Sequence, residues 1–185
     1  MTHRISMKST DRLELGFGHV HANEEAWMYQ EYFPAIGPVF ADYGLRTLAP
    51  FRVVASNAPD IAPVQGSLGS WPSAKHRIDF HVDPRFVAVQ ARRDAALTMS
   101  DGHLFAPVTE SVELSSDEDY ALIVAAHGIP DGALFRVPLT PESKSRVHEG
   151  KHLSLHRWNE ACAQLLAGSQ DDALVLRVRF NPRQA

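Results

Sequence analysis

The chain has 185 residues, 44% hydrophobic and 22% charged, the mix of a globular protein able to bury a core without staples. Its formal net charge of −4 gives no basic footprint for a phosphate backbone, so nucleic acid is not an expected partner. One cysteine, Cys162, rules out an internal disulfide framework, and no apolar run nears the roughly 20 residues of a membrane span. With a polar stretch over 1–12 in place of a signal-peptide core, a cytoplasmic location without membrane partners is expected.

Residues 13–22 alternate as a strand does, with Leu13, Leu15, Phe17, His19 and His21 on one face and Gly16, Gly18 and Val20 on the other. Asn23 follows as a helix cap, with Glu24 and Glu25 in the first turn, where the helix dipole favours anions. Tyr29, Tyr32, Phe33, Ile36, Val39, Phe40 and Tyr43 then recur at three- and four-residue steps. Pro34 and Pro38 each remove a backbone donor, which predicts a kink or a broken second half, and Gly44 is the stop. A second strand is expected over 45–56 and a turn over 57–63. The third strand, 64–71, is rich in Gly and Ser, as where another backbone approaches. Pro72-Ser73 opens a helical region that Pro84 restarts, with Phe86, Val89, Arg93 and Leu97 on one stripe. Asp101-Gly102 reads as a turn into a fourth strand, 103–108. The order is βαββαβ, a ferredoxin-like α+β unit.

Residues 111–119, acidic and serine-rich, read as a linker between this domain (13–110) and an extension (120–185). The extension reads ββαβ: strands over 120–126 and 133–139, a helix start at Thr140-Pro141-Glu142, and a final strand over 173–180. Leu155, Trp158, Cys162, Leu165 and Leu166 form the helical stripe, ending at Gly168. The extension is either a degenerate second half-barrel or a decoration, since no sequence repeat decides between them.

Three signatures recur in order. They are Tyr29 and Tyr32 leading to Tyr43-Gly44, then Trp71-Pro72-Ser73, then Asp83-Pro84-Arg85-Phe86 with Arg93 downstream. In that spacing the first unit resembles the domain-of-unknown-function 1330 family of the dimeric α+β barrel superfamily. Asp83 and Arg85 depart from the family's Ser and Glu, and the strand before Trp71 is glycine-rich where the family has Val and Leu. The resemblance implies a sheet with helices on one face and a second protomer on the other, hence a homodimer, with a small-molecule pocket between sheet and helices. Superfamily relatives include cofactor-free oxygenases, isomerases, lactonase-like enzymes and haem proteins, so the fold selects no reaction.

His19-Val20-His21 would place two imidazoles on one strand face, which suits two metal ligands or a base with its partner, and His103 is a candidate third group. The plainer account is a solvated strand end. His148, His152 and His156 are spaced by four, and His76 and His81 flank Asp79; solvated helix faces and turn chemistry account for both. Arg93 would clamp a carboxylate or enolate, or form a surface ion pair. Tyr29, Tyr32 and Trp71 would line an aromatic cavity, or pack in the core. No phosphate loop, dinucleotide fingerprint, nucleophile elbow or zinc-finger spacing occurs, so no cofactor is expected. Two readings follow: a small-molecule enzyme with His19 or His21 as base and Arg93 as anion clamp, or a non-catalytic barrel holding a small apolar ligand.

Overall fold

Alternation along the first long strand sends Leu13, Leu15 and Phe17 into one core and leaves Glu14, Gly16 and Gly18 facing the other way. The computed structural model describes residues 2–58, 63–142, 150–168 and 173–181. In chain order its strands are β1 (Thr2–Ile5), β2 (Arg12–Val20), β3 (Arg46–Ser56), β4 (Gln65–Trp71), β5 (Leu97–Phe105), β6 (Val112–Ser115), β7 (Asp119–Ala125), β8 (Phe135–Pro138), β9 (His152–Arg157) and β10 (Leu174–Phe180). Its α-helices are α1 (Glu25–Trp27), α2 (Phe33–Asp42), α3 (Ala74–Val82), α4 (Pro84–Ala95) and α5 (Glu160–Ala167).

Eight strands form one antiparallel sheet in the order β5-β2-β4-β3-β10-β7-β9-β8. Within β2–β5 this is the ferredoxin-like order fourth, first, third, second; β7–β10 repeat it. The two sets join where β3 pairs with β10, Phe51 opposite Phe180. The outer edges also meet: Phe105 bridges Leu139, Ala106 N–H donates to Pro138 O at 2.9 Å, and Thr140 N–H donates to Leu104 O at 2.9 Å. The sheet thus closes into a barrel within one chain. The sheet closure that the resemblance assigns to a second protomer is made here by the chain's own second half.

The barrel interior is filled from both sets. Leu15, Phe51, Leu68, Phe105, Tyr120, Leu153, Leu155 and Phe180 are all buried there, with Phe180 edge-on to Phe51 and Tyr120. The stretch read as a linker carries β6, which pairs with β1 and brings Ile5, Val112 and Leu114 into the same core.

On the outer face the first set carries the helices. The chain enters through a 3₁₀ turn (Ala22–Glu24) and α1, then a π-helical turn (Met28–Tyr32) in which Phe33 N–H reaches back to Met28 O. Pro34, in the first turn of α2, has no N–H to give, and the π turn lies just ahead of it; α2 runs through Pro38, so the break expected in the second half does not occur. Asn23 lies inside the 3₁₀ turn and caps nothing; the residue before that turn is His21. Gly44, at φ 73°, ends α2 with Gly44 N–H on Ala41 O and Leu45 N–H on Phe40 O, the paired bonds of a Schellman stop. Asp83 caps α4 through Arg85 N–H at 2.7 Å, ahead of Pro84. The Arg85 guanidinium holds the Asp83 carboxyl well below the usual range.

Two elements differ from expectation. Asp101-Gly102 lies inside β5 and is no turn, with Gly102 directly opposite Gly16. The stripe from Leu155 to Leu166 is also split. Leu153 and Leu155 alternate inward along β9 against outward Ser154 and His156, while Asn159 caps α5 by accepting from Cys162 N–H at 3.0 Å. Period two outranks the accidental spacing of Leu155 to Trp158. Among the described residues the extension therefore reads βββαβ, with residues 126–134 irregular where β2 and β3 have helices between them. The helix start at Thr140-Pro141-Glu142 runs into residues outside those described.

Gly66 marks the tightest approach in the sheet: a Cβ there would lie 2.3 Å from Gly16 O and 2.6 Å from the Phe51 ring. An unstrained Gly→Ala change stabilises by about 0.4–1 kcal/mol, but overpacking costs about 1–3 kcal/mol, so the clash decides. Gly66→Ala is expected to destabilise by about 1–3 kcal/mol, seen as a lower urea midpoint with an unchanged slope.

Candidate functional site

Across β5, β2, β4 and β3 the outward residues Gly102, Gly16, Ser67 and Pro50 stand in register as one row. Side chains this small leave the helices resting on taller neighbours, and a cavity of about 540 Å³ opens between helices and sheet. Its floor is this row. One wall comes from the π turn and α2, with Met28, Tyr29, Tyr32 and Phe40, and the other from α3 and α4, with Phe80, His81, Phe86 and Arg93. The wider π turn puts Met28 and Tyr32 into the core cluster while Tyr29 stays half exposed. Tyr29 is joined across the gap to Gln65 of β4.

Polar groups sit at fixed places in this apolar shell. Glu14 points outward from β2 and accepts from Trp71 Nε1 at 2.8 Å and from Arg77 Nε at 2.7 Å. Arg77 also donates from Nη2 to Gly102 O at 2.9 Å, tying α3 to β2 and β5. The two side chains are only 18% and 16% exposed. His81, one turn further along α3, has Nδ1 2.7 Å from Arg77 O. Burial lowers its pKa, and the Arg77 and Arg93 charges push the same way. Burial raises the Tyr32 phenol, against the opposing pull of Arg93. Arg93 pairs with Asp94 and lies 5.9 Å from the Phe86 ring centroid.

Four residues singled out from sequence come together here: Tyr29, Tyr32, Trp71 and Arg93 all line the cavity. Of the histidines among the described residues only His81 lines it. Past a register shift after His19, Val20 still pairs with Leu97 and ends β2, and His21 lies beyond the strand with its ring 3.1 Å from Thr98 Oγ1. His103, opposite Leu15, is buried on the inner face. His76 pairs with Ser73 and Asp79 with Lys75, so neither orients His81. His152 and His156 stand on β9 and not on a helix, with His156 fully buried 3.0 Å from Ser154 Oγ. His148 falls outside the described residues. Among the described residues no group of three or more His, Cys, Asp or Glu is placed to hold a metal ion. No helix among them is long and apolar enough to cross a membrane.

Sequence reasoning missed Glu14 and Arg77, and placed His81 with the wrong partner. A carboxylate on a strand two residues before Gly16, and Arg77 and His81 four apart on one helix, were the available signals.

No family model matches the chain, and no curated protein does. Among solved structures, an anthrone oxidase-like protein is similar at TM-score 0.51 and 7% identity, over 97% of this chain and 94% of that one. A protein of Fusobacterium nucleatum subsp. nucleatum, provisionally named a monooxygenase, gives TM-score 0.44 at 8% identity over 94% of each chain. The first likeness shows an α+β barrel of the ferredoxin-like type and nothing narrower.

Removing Glu14 leaves a largely buried guanidinium uncompensated and the Trp71 N–H without its acceptor. Glu14→Ala is expected to cost about 1–3 kcal/mol in urea unfolding. Glu14→Gln, which keeps an oxygen for Trp71, should lose less, with tryptophan fluorescence near wild type.

Proposed function

We propose that the protein is a small-molecule enzyme working by acid/base chemistry in the helix–sheet cavity, on a flat, weakly acidic aromatic substrate. The observation that carries this is the pairing of a floor of small side chains with aromatic walls and two arginines in one cavity. A flat ring fits between such a floor and wall. The guanidinium of Arg93 is the anion clamp, acting on the oxygen that gains charge as the substrate ionises. Tyr29, Tyr32 and Trp71 form the aromatic lining. The name of the anthrone oxidase-like neighbour is in keeping with a ring substrate of this kind. We further read the chain as a divergent relative of the domain-of-unknown-function 1330 family, acting in the cytoplasm without nucleic-acid or membrane partners.

Titration calorimetry with 2-naphthoate and its uncharged amide tests the clamp. Wild type should prefer the anion, and Arg93→Gln should weaken the anion by about tenfold or more, the worth of one charge-assisted contact, while leaving the amide within about threefold. Equal affinity for both probes in wild type would remove the clamp and favour the purely apolar binding module.

A further inference from the structure

We infer that His81 is the proton acceptor of this cavity, its Nε2 taking a proton from an acidic C–H or phenolic O–H of the bound ring. The inference rests on the small-molecule reading above and names the group that does its chemistry. A carbonyl oxygen can only accept, so the 2.7 Å contact between Nδ1 and Arg77 O fixes the proton on Nδ1. Nε2 is left as the basic nitrogen. Among the described residues it has no hydrogen-bond partner, and it is not among the buried polar atoms lacking one, so a ligand can reach it. The ring is held edge-on to Phe80 and at a steep tilt to Phe86, each 5.2 Å away, and does not need to be repositioned on binding.

The surroundings keep this base neutral and ready. The charged groups acting on His81 are Arg77 on its own helix, Arg93 on α4 and Glu14 on β2. Burial and the two arginines disfavour the imidazolium, and Glu14 and the Arg77 carbonyl favour it. The balance lies below the ordinary histidine value. At pH 7 the ring is therefore an acceptor. The step is a proton transfer alone: the substrate's C–H or O–H bond breaks, its electron pair stays as enolate or phenolate, and the proton forms the Nε2–H bond of an imidazolium. Arg77 and Arg93, lining the same cavity, offset the new negative charge. No other histidine among the described residues lines this cavity.

Anthrone in D₂O under argon tests this, with deuterium entering its methylene carbon followed by proton NMR and binding followed by fluorescence. Wild type should speed exchange over buffer, with a rate that falls as pH drops through a pKa below about 6.5. His81→Asn keeps an N–H for Arg77 O, so it should fold and bind within about threefold, yet lose about 100-fold or more of the exchange rate together with that pH dependence. Binding with exchange undiminished in His81→Asn would overturn the base and leave the cavity reading standing. A wild type that neither binds nor exchanges the probe overturns both. Without any ligand, imidazole ¹⁵N NMR should find Nδ1 protonated and Nε2 bare at pH 7; the reverse tautomer overturns the assignment.

Discussion

An antiparallel sheet of this size must bury one face and dispose of two edges, and here a single chain does both. The β3–β10 ladder and the contacts of Leu104, Phe105 and Ala106 with residues 138–140 remove the free edges. Closure then commits the inner residues of both halves to one core, from Leu15 and Phe51 on one side to Leu155 and Phe180 on the other. With the interior filled, the cavity opens on the outer face, between sheet and helices. The strand order repeats between halves, so the chain carries internally the pairing that two protomers supply in dimeric barrels.

The two halves diverge on that outer face. In the first, the row from Gly102 to Pro50 holds no large side chain, and two helical layers span it without filling it. In the second, no helix separates β7 from β8. Helix α5 packs Cys162 and Leu165 onto Ala121, Ile123 and Val175. Shape, more than sequence likeness, makes one half a site and the other a support. The ion pairs follow the same division. Asp119 gathers Arg177 and Arg179 at the junction of β7 and β10, where two guanidinium groups outweigh the effect of burial and hold its carboxyl below the usual range.

What could be read from sequence was whatever local physics decides. Period two in β2, the Gly44 stop and the Asp83-Pro84 restart depend on a few neighbouring residues, and each stands where expected. Tyr29, Tyr32, Trp71 and Arg93 were found because large amphipathic side chains on a helical stripe or at a strand end must cover something. What was lost depended on distant partners. β9 was hidden because Leu155, Trp158 and Cys162 mimic helical spacing. Gly102 looked like turn chemistry because the reason for its size, Gly16 opposite and Arg77 above, lies in other elements. Glu14 sat at an outward strand position that is ordinarily wet, and only the helices turn it into a cavity wall. His19 and His21 stand at the end of β2, away from the cavity lining, because the helices cover the other face of the strand.

The cost of the polar groups bears on binding versus catalysis. A largely buried Glu14–Arg77 pair gives up hydration that the pair's own attraction only partly returns, and packed apolar residues in such places are often as stable or more so. A cavity serving only an apolar ligand would lose nothing by replacing the pair with leucine and methionine. It would lose nothing, either, by replacing a histidine whose one ring nitrogen is fixed on a carbonyl and whose other is left bare. An ionising substrate changes this account. The guanidinium already held by Glu14 and Gly102 O needs no reorganisation when charge appears nearby, and a neutral imidazole between aromatic rings has a proton to accept. On the proposed reading, the arrangement suits a ligand that changes charge after it is bound, the property that would separate a reaction site from a container.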